Sequence, residues 1–238
     1  MAEISLQQLL EAGCHFGHQS RRWNPAMAEY IYATRDKVHI FDLVKTKKGL
    51  DAAIEFVKQL AAQDKKILFV GTKRQAQEIV TAAAKRVNMP YVTERWLGGI
   101  LTNFDQINKS LKKLRELREE VAGTTTTKFT KREKLMKSRE IARFERFLGG
   151  IESLNKIPDA MFVVDTHREE VAVKEAVRVG IPVIGLVDSN GNPDLVDYVI
   201  AANDDAVKSI ELIVTAVTDS VAKGLPKIKE KKPHESVS

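Results

Sequence analysis

The chain reads as an α/β protein: a doubly wound, mainly parallel sheet flanked by helices, carrying an inserted antiparallel helical hairpin. Three observations predict this. The apolar runs ILFV (67–70), MFVV (161–164) and VIGLV (183–187) are unbroken rather than alternating, as in strands buried on both faces of a parallel sheet. Short links join them to helix-periodic stretches, so strand, helix and strand succeed one another as in right-handed crossovers. Between Trp96 and Pro158 the pattern becomes purely helical and strongly charged. With 238 residues and 43% hydrophobic content, the chain can bury a sizeable core.

Ser5 can N-cap a short helix over SLQQLLEA, which Gly13 can stop. CHFGHQSRRWNP reads as an irregular basic stretch, and IYATRDKVHIFDL alternates like a hairpin turning near Arg35, Asp36 and Lys37. A helix is expected over 46–62. KKILFVGTK then ends at Gly71 and opens into the helix QAQEIVTAAAKRV, and PYVTERW is expected as a strand. In the insertion, Ile107, Leu111, Leu114, Leu117 and Val121 form an apolar stripe on one helix, which Gly123 and four threonines end. A second helix runs from Lys131 to about Leu148, with Leu135, Ile141, Phe144 and Leu148 as core positions, and Gly149 and Gly150 stop it. Eighteen helical residues extend roughly 27 Å, so the pair is expected to protrude. PDAMFVVDT, a helix through EEVAVKEAVRVG, IPVIGLVDSN, DYVIAAND and a helix from Ala206 to about Ala222 complete the pattern.

Charge is divided along the chain. Residues 104–148 hold 13 Lys/Arg against 7 Asp/Glu, whereas residues 149–222 hold 5 against 13. A clustered basic region is the footprint of nucleic-acid binding, because Lys and Arg release condensed counterions on meeting phosphates. The expected organisation is a globular α/β domain over 1–103 and 149–222, with a basic hairpin region at 14–45, a protruding hairpin over 104–148 and a disordered basic tail over 223–238. The single Cys14 excludes an internal disulfide and any multi-cysteine zinc site and fits a reducing cytosol. The N-terminus lacks a basic n-region, so no secretory leader is expected. No run approaches 18 apolar residues, so no membrane partner is expected.

Candidate contacts follow from these patterns. Arg21, Arg22 and Arg35 offer bidentate donors to phosphate, and Trp23 offers either a stacking face for a partner or a core contact. Lys73 and Arg74 lie where a strand opens into a helix, a seat for phosphate or an ordinary turn. Arg95 precedes the two glycines of RWLGGILTNF, and Thr102 or Asn103 can cap the next helix. Lys109, Lys112, Lys113, Arg115, Lys131, Arg132 and Lys134 on the insertion read as RNA-backbone contacts or as a solvated charged face. Asp188, Asp204 and Asp205 lie at strand ends that converge in an open sheet, where they suit a protein partner. With His18 they also suit a divalent cation, magnesium or zinc; helix capping and turn duty are the alternative.

Four segments closely resemble the bacterial family of small-subunit ribosomal protein S-two. They are LLEAGCHFGHQSRRWNP, ILFVGTKRQA, RWLGGILTNF, and PDAMFVVD followed by EAVRVGIPVIGLVDSNGNPDLVDYVIAANDDA. The resemblance covers about residues 4–222. It implies a flavodoxin-like sheet with the protruding hairpin where the basic insertion stands. It also implies a structural role in translation: contact with 16S rRNA, bridging of head and body, and recruitment of the mRNA-binding ribosomal protein S-one in the cytoplasm. It requires no cofactor or small-molecule substrate. No G-x-S-x-G, H-E-x-x-H or supported Cys-His pair appears. The alternative is a nucleotide- or metal-dependent α/β enzyme using the acidic strand ends.

Overall fold

The computed structural model describes residues 4–122 and 129–225. In chain order the elements are α1 (Leu6–Glu11), β1 (Phe16–Gln19), β2 (Ile31–Arg35), β3 (Val38–Phe41), α2 (Leu43–Ala62), β4 (Ile67–Val70), α3 (Gln77–Arg86), β5 (Tyr91–Val92), α4 (Phe104–Ala122), α5 (Lys131–Leu148), β6 (Ala160–Val164), α6 (Glu170–Val179), β7 (Val183–Val187), β8 (Tyr198–Ala201) and α7 (Val207–Gly224). Strands β4 to β8 form one parallel sheet in the order β5-β4-β6-β7-β8. Counted within that sheet the order is 2-1-3-4-5, the flavodoxin-like arrangement, whose chain reversal lies between β4 and β6.

The unbroken apolar strands do what their composition requires. Phe69, Phe162, Val164, Ile184 and Leu186 face one core, with residues of α1, α2, α3 and α7. Leu68, Val70, Met161, Val163 and Val187 face the other, with α6 and the near ends of α4 and α5. Every side chain of β4, β6 and β7 is therefore buried.

A second sheet departs from the sequence expectation. The hairpin over residues 31–41 is present, turning at Asp36 and Lys37, both with positive φ. Part of the stretch read as irregular pairs with it as β1, giving the order β1-β3-β2. Residues FGHQ carry no β-branched side chain, so local propensity hid the strand. The strand expected over PYVTERW shrinks to two residues, because the chain turns at once into the loop that leads to α4.

Helices α4 and α5 pack on each other. Ile107, Leu111, Leu114 and Leu117 are buried along α4, as the stripe predicts; Phe104 joins them, and Val121 at the far end is only half-buried. Phe104, Ile107, Leu111 and Leu148 join the body core, so the base of this pair is part of the domain's interior. Leu135 is a correction. It is 53% exposed, lying near the end of α5 remote from Leu148, the one α5 side chain among the described residues that is buried. The Gly123-to-Lys128 connection and residues 226–238 of the basic tail lie outside the described residues.

Candidate functional site

Two charged regions of opposite character stand out. The first lies outside the carboxyl ends of the parallel strands. Lys73 follows β4, Asp165 follows β6, Asp188 follows β7, and Asp204 and Asp205 follow β8. Lys73 Nζ donates to Asp204 Oδ1 (2.5 Å) and Asp205 Oδ1 (2.5 Å) and lies 3.3 Å from Asp165. His18 contributes from β1: Nδ1 is 2.9 Å from Asp188 Oδ1, and Nε2 is 3.5 Å from Asp205 Oδ2. Ligand atoms of His18, Asp188 and Asp204 all lie within 4.8 Å of one another. Asp204 is 1% exposed, and its Oδ2 has no hydrogen-bond partner.

The charge states follow from this crowding. Burial, with the Asp188 and Asp165 charges, pushes the Asp204 carboxyl up to about 8, while Lys73 pulls against it. The hydrogen bond to Asp188 raises the His18 pKa against the opposing effect of burial. Burial opposes the charge on Lys73, but the carboxylates around it raise its pKa well above the usual lysine value.

Several sequence expectations are corrected here. Lys73 is no phosphate contact: it is buried and its charge is spent on three carboxylates. The turn after β4 is no open anion seat either, because the buried Glu169 carboxylate already accepts from the Thr72 amide (3.0 Å) and hydroxyl (2.5 Å). Asp188 and Asp204 are each 1% exposed and cannot face a protein partner; of the acidic trio only Asp205 is exposed. Asp204 does not cap α7. Asn203 Oδ1 accepts the Asp205 and Ala206 amides instead. The turn expected at 188–191 does form, with the Gly191 amide donating to the Asp188 carbonyl (2.9 Å).

The small sheet closes this crevice. The His18 amide donates to Ser189 Oγ (2.8 Å), the Asn24 amide to the Ser189 carbonyl (2.7 Å), and the Asn203 amide to the Cys14 carbonyl (3.0 Å). Gly17 permits the approach: a Cβ there would sit 3.0 Å from Ser189 Oγ. The place where open α/β sheets usually take a ligand is thus occupied by the chain's own N-terminal segment.

The second region is basic and exposed. Ser20 bonds the Lys37 carbonyl through its amide (2.9 Å) and hydroxyl (3.0 Å). This draws the exposed Arg21 and Arg22 to the β2–β3 turn, beside exposed Arg35 and Lys37. Lys37 is an addition to the expected set, found only through strand pairing. Trp23 is half-buried, its ring 4.9 Å from His39. Arg74 and Arg95 are exposed. On the helix pair, part of the basic set is used internally. Lys113 pairs with Glu140 (2.5 Å), Arg115 donates to the Glu152 carbonyl (2.9 Å), and Arg118 pairs with Glu145 and Glu152 (2.8 Å each). Lys137 pairs with Glu120, and Lys112 lies 3.9 Å from Glu116. Among the described residues no ion pair engages Lys109, Lys131, Arg132, Lys134, Arg139 or Arg143, and all are exposed.

The family model for ribosomal protein S2 matches residues 9–224. The chain belongs to the ribosomal protein S2 family. Among its relatives, small ribosomal subunit protein uS2 of Porphyromonas gingivalis is 51% identical over 98% of this chain and 83% of its own length. Its counterparts in Hahella chejuensis and Psychrobacter cryohalolentis are 50% and 49% identical, over 94% and 93% of this chain and 89% and 84% of their own lengths. As a member of the S2 family the chain is a structural ribosomal protein, not an enzyme. The strand ends that suggested an enzyme serve the body's own architecture. No helix among the described residues is long and apolar enough to cross a membrane.

Proposed function

We propose that this chain is a structural constituent of the small ribosomal subunit that grips 16S rRNA through two exposed basic surfaces. One is Arg21, Arg22, Arg35 and Lys37 on the small sheet; the other is Lys131, Arg132, Lys134, Arg139 and Arg143 on α5, with Lys109 on α4. The observation that carries this is the lack of ion-pair partners for these cations within the described chain, so they are available to phosphates, which they would position without reading sequence. Arg74 and Arg95 are lesser candidates. Lys113 ties α4 to α5 through Glu140, Arg115 ties α4 to Glu152, and Lys112 lies beside Glu116 on its own helix, so these three contribute less. The pair itself is read as an antiparallel hairpin. Two basic surfaces on separate elements suit a bridge between head and body. Mapping cross-links from the small sheet and from α5 to the rRNA tests this; cross-links from only one surface would remove the bridging role.

Docking of protein S-one is assigned to the small-sheet side, where Trp23 is half-buried and Asp205, though paired with Lys73, is exposed. Asp205→Ala should weaken S-one retention and leave rRNA binding intact; equal losses would remove the assignment.

One observation favours a second, compatible reading of the crevice. His18, Asp188 and Asp204 can bring three ligand atoms to one divalent cation, and Asp204 Oδ2 lacks a partner. An imidazole nitrogen and two carboxylates suit zinc better than magnesium, which prefers oxygen alone. Asp205, already held by Lys73, stands beside this set rather than in it. Calorimetric titration with zinc, then with magnesium, should show one saturable zinc site that Asp204→Asn abolishes. No heat from either ion would remove the reading.

A further inference from the structure

The segment that launches α4 is folded around one carboxylate. Glu175 lies within α6 and is 8% exposed. Its Oε1 accepts from the Trp96 indole (3.1 Å) and the Gly99 amide (2.7 Å). Its Oε2 accepts from the Leu101 amide, the Thr102 amide and the Thr102 hydroxyl, each at 3.1 Å. Gly99 has φ +94°, a conformation open to glycine, and it turns the chain so that its own amide and those of Leu101 and Thr102 aim at the same anion as the Trp96 indole. No cation pairs with Glu175 among the described residues; donors alone hold its charge. Burial pushes its pKa up, but the bonds from Gly99, Trp96, Thr102 and Leu101 outweigh burial and hold it below the usual carboxylate range. Thr102, one of the two caps expected for α4, is committed here instead.

The arm has other ties to its base. Arg118 reaches Glu152 (2.8 Å) and Arg146 reaches Glu94 (2.8 Å). Those arginines are 39% and 64% exposed, and exposed pairs hold weakly against water and salt. Five hydrogen bonds converging on one buried charge are of another order, because both the charge and its low-dielectric setting strengthen each bond.

We infer that Glu175 is a positioning residue for the two-helix arm: its carboxylate locks the Trp96–Thr102 turn and so fixes the direction in which α4 and α5 leave the body. This rests on the proposal that the arm grips RNA. The test uses the full-length protein and Glu175→Gln, which keeps the size but turns one acceptor into a donor facing the loop. Amide exchange is read alongside binding to small subunits lacking this protein. The Gly99, Leu101 and Thr102 amides should exchange at least about tenfold faster, while β4 and β6 stay protected. Subunit binding should weaken about tenfold with its salt slope unchanged, because no phosphate contact is lost. Unchanged loop exchange would overturn the anchor. Fast exchange with normal binding would overturn its positioning role. If Glu175→Gln also deprotects β4 and β6, Trp96→Phe decides, since it deletes one donor; it must still speed loop exchange, or the inference fails. Reversing Arg132, Arg139 and Arg143 separates the two readings. Normal binding by that variant removes the RNA role of the arm, and with it the functional half of the inference, whatever Glu175 does to the loop.

Discussion

The crevice and the arm are built from the same charged residue types and put them to opposite use. In the crevice, Lys73 is buried among Asp165, Asp204 and Asp205, and its charge is consumed by the fold. On α5, Arg132, Arg139 and Arg143 are exposed, and no described carboxylate pairs with them. Burial, more than charge count, decides whether a cation serves stability or a partner. A buried charge must be matched by its own chain, whereas an unmatched surface charge costs little until a polyanion arrives.

The largest expected effect tests the buried side. Lys73→Ala removes the one cation shared by Asp165, Asp204 and Asp205 and should cost about 3–5 kcal/mol in urea unfolding, the usual range for removing one member of a buried pair. The salt slope of subunit binding should not move. A loss under about 1 kcal/mol would show that water already screens the crevice, and the contrast would collapse.

The exposed side predicts the reverse pattern. Arg132→Glu, Arg139→Glu and Arg143→Glu together should alter stability by less than about 0.5 kcal/mol per site. They should reduce the log–log salt slope of subunit binding by about 2–3, by analogy with about 0.9 per phosphate contact on duplex DNA. Lys113→Ala sharpens the point within the arm. Its partner Glu140 is its own chain's, so the slope should hold and stability should fall by no more than about 0.5 kcal/mol.

The smallest effect is an acid one. The folded pKa of Glu175 is depressed, so its contribution is complete above the unfolded value of about 4.3. It is lost as pH falls through the lower folded value. Glu175→Gln should therefore flatten the acid limb of the stability profile below about pH 4.3 and leave its slope at neutral pH unchanged. A change in slope near neutrality would place the missing charge elsewhere.

The parallel sheet was legible because β4, β6 and β7 are apolar on both faces and short links leave few ways to connect them. The α4 stripe was legible for a similar reason, since period and burial agree. Positions that depend on distant strands were not. Nothing local marks Lys73 as inward-facing; that follows only when β6 and β8 bring Asp165, Asp204 and Asp205 beside β4. Glu175 escaped notice because its donors lie in a separate loop, Trp96 to Thr102, far from it in sequence. Strand β1 was hidden by FGHQ, whose pairing comes from β3 rather than from its own propensity. Arg21, Arg22 and Arg35, expected as RNA contacts, stand exposed, and the Ser20–Lys37 contact places Lys37 beside them.

The seam between the small sheet and the carboxyl ends has a kinetic consequence. Cys14 meets Asn203 and His18 meets Ser189 across most of the chain's length. A ribosome making this protein releases the first residues of that seam long before the last. The body therefore closes only near the end of synthesis, whereas α4 and α5, neighbours in sequence, can associate as soon as both have emerged.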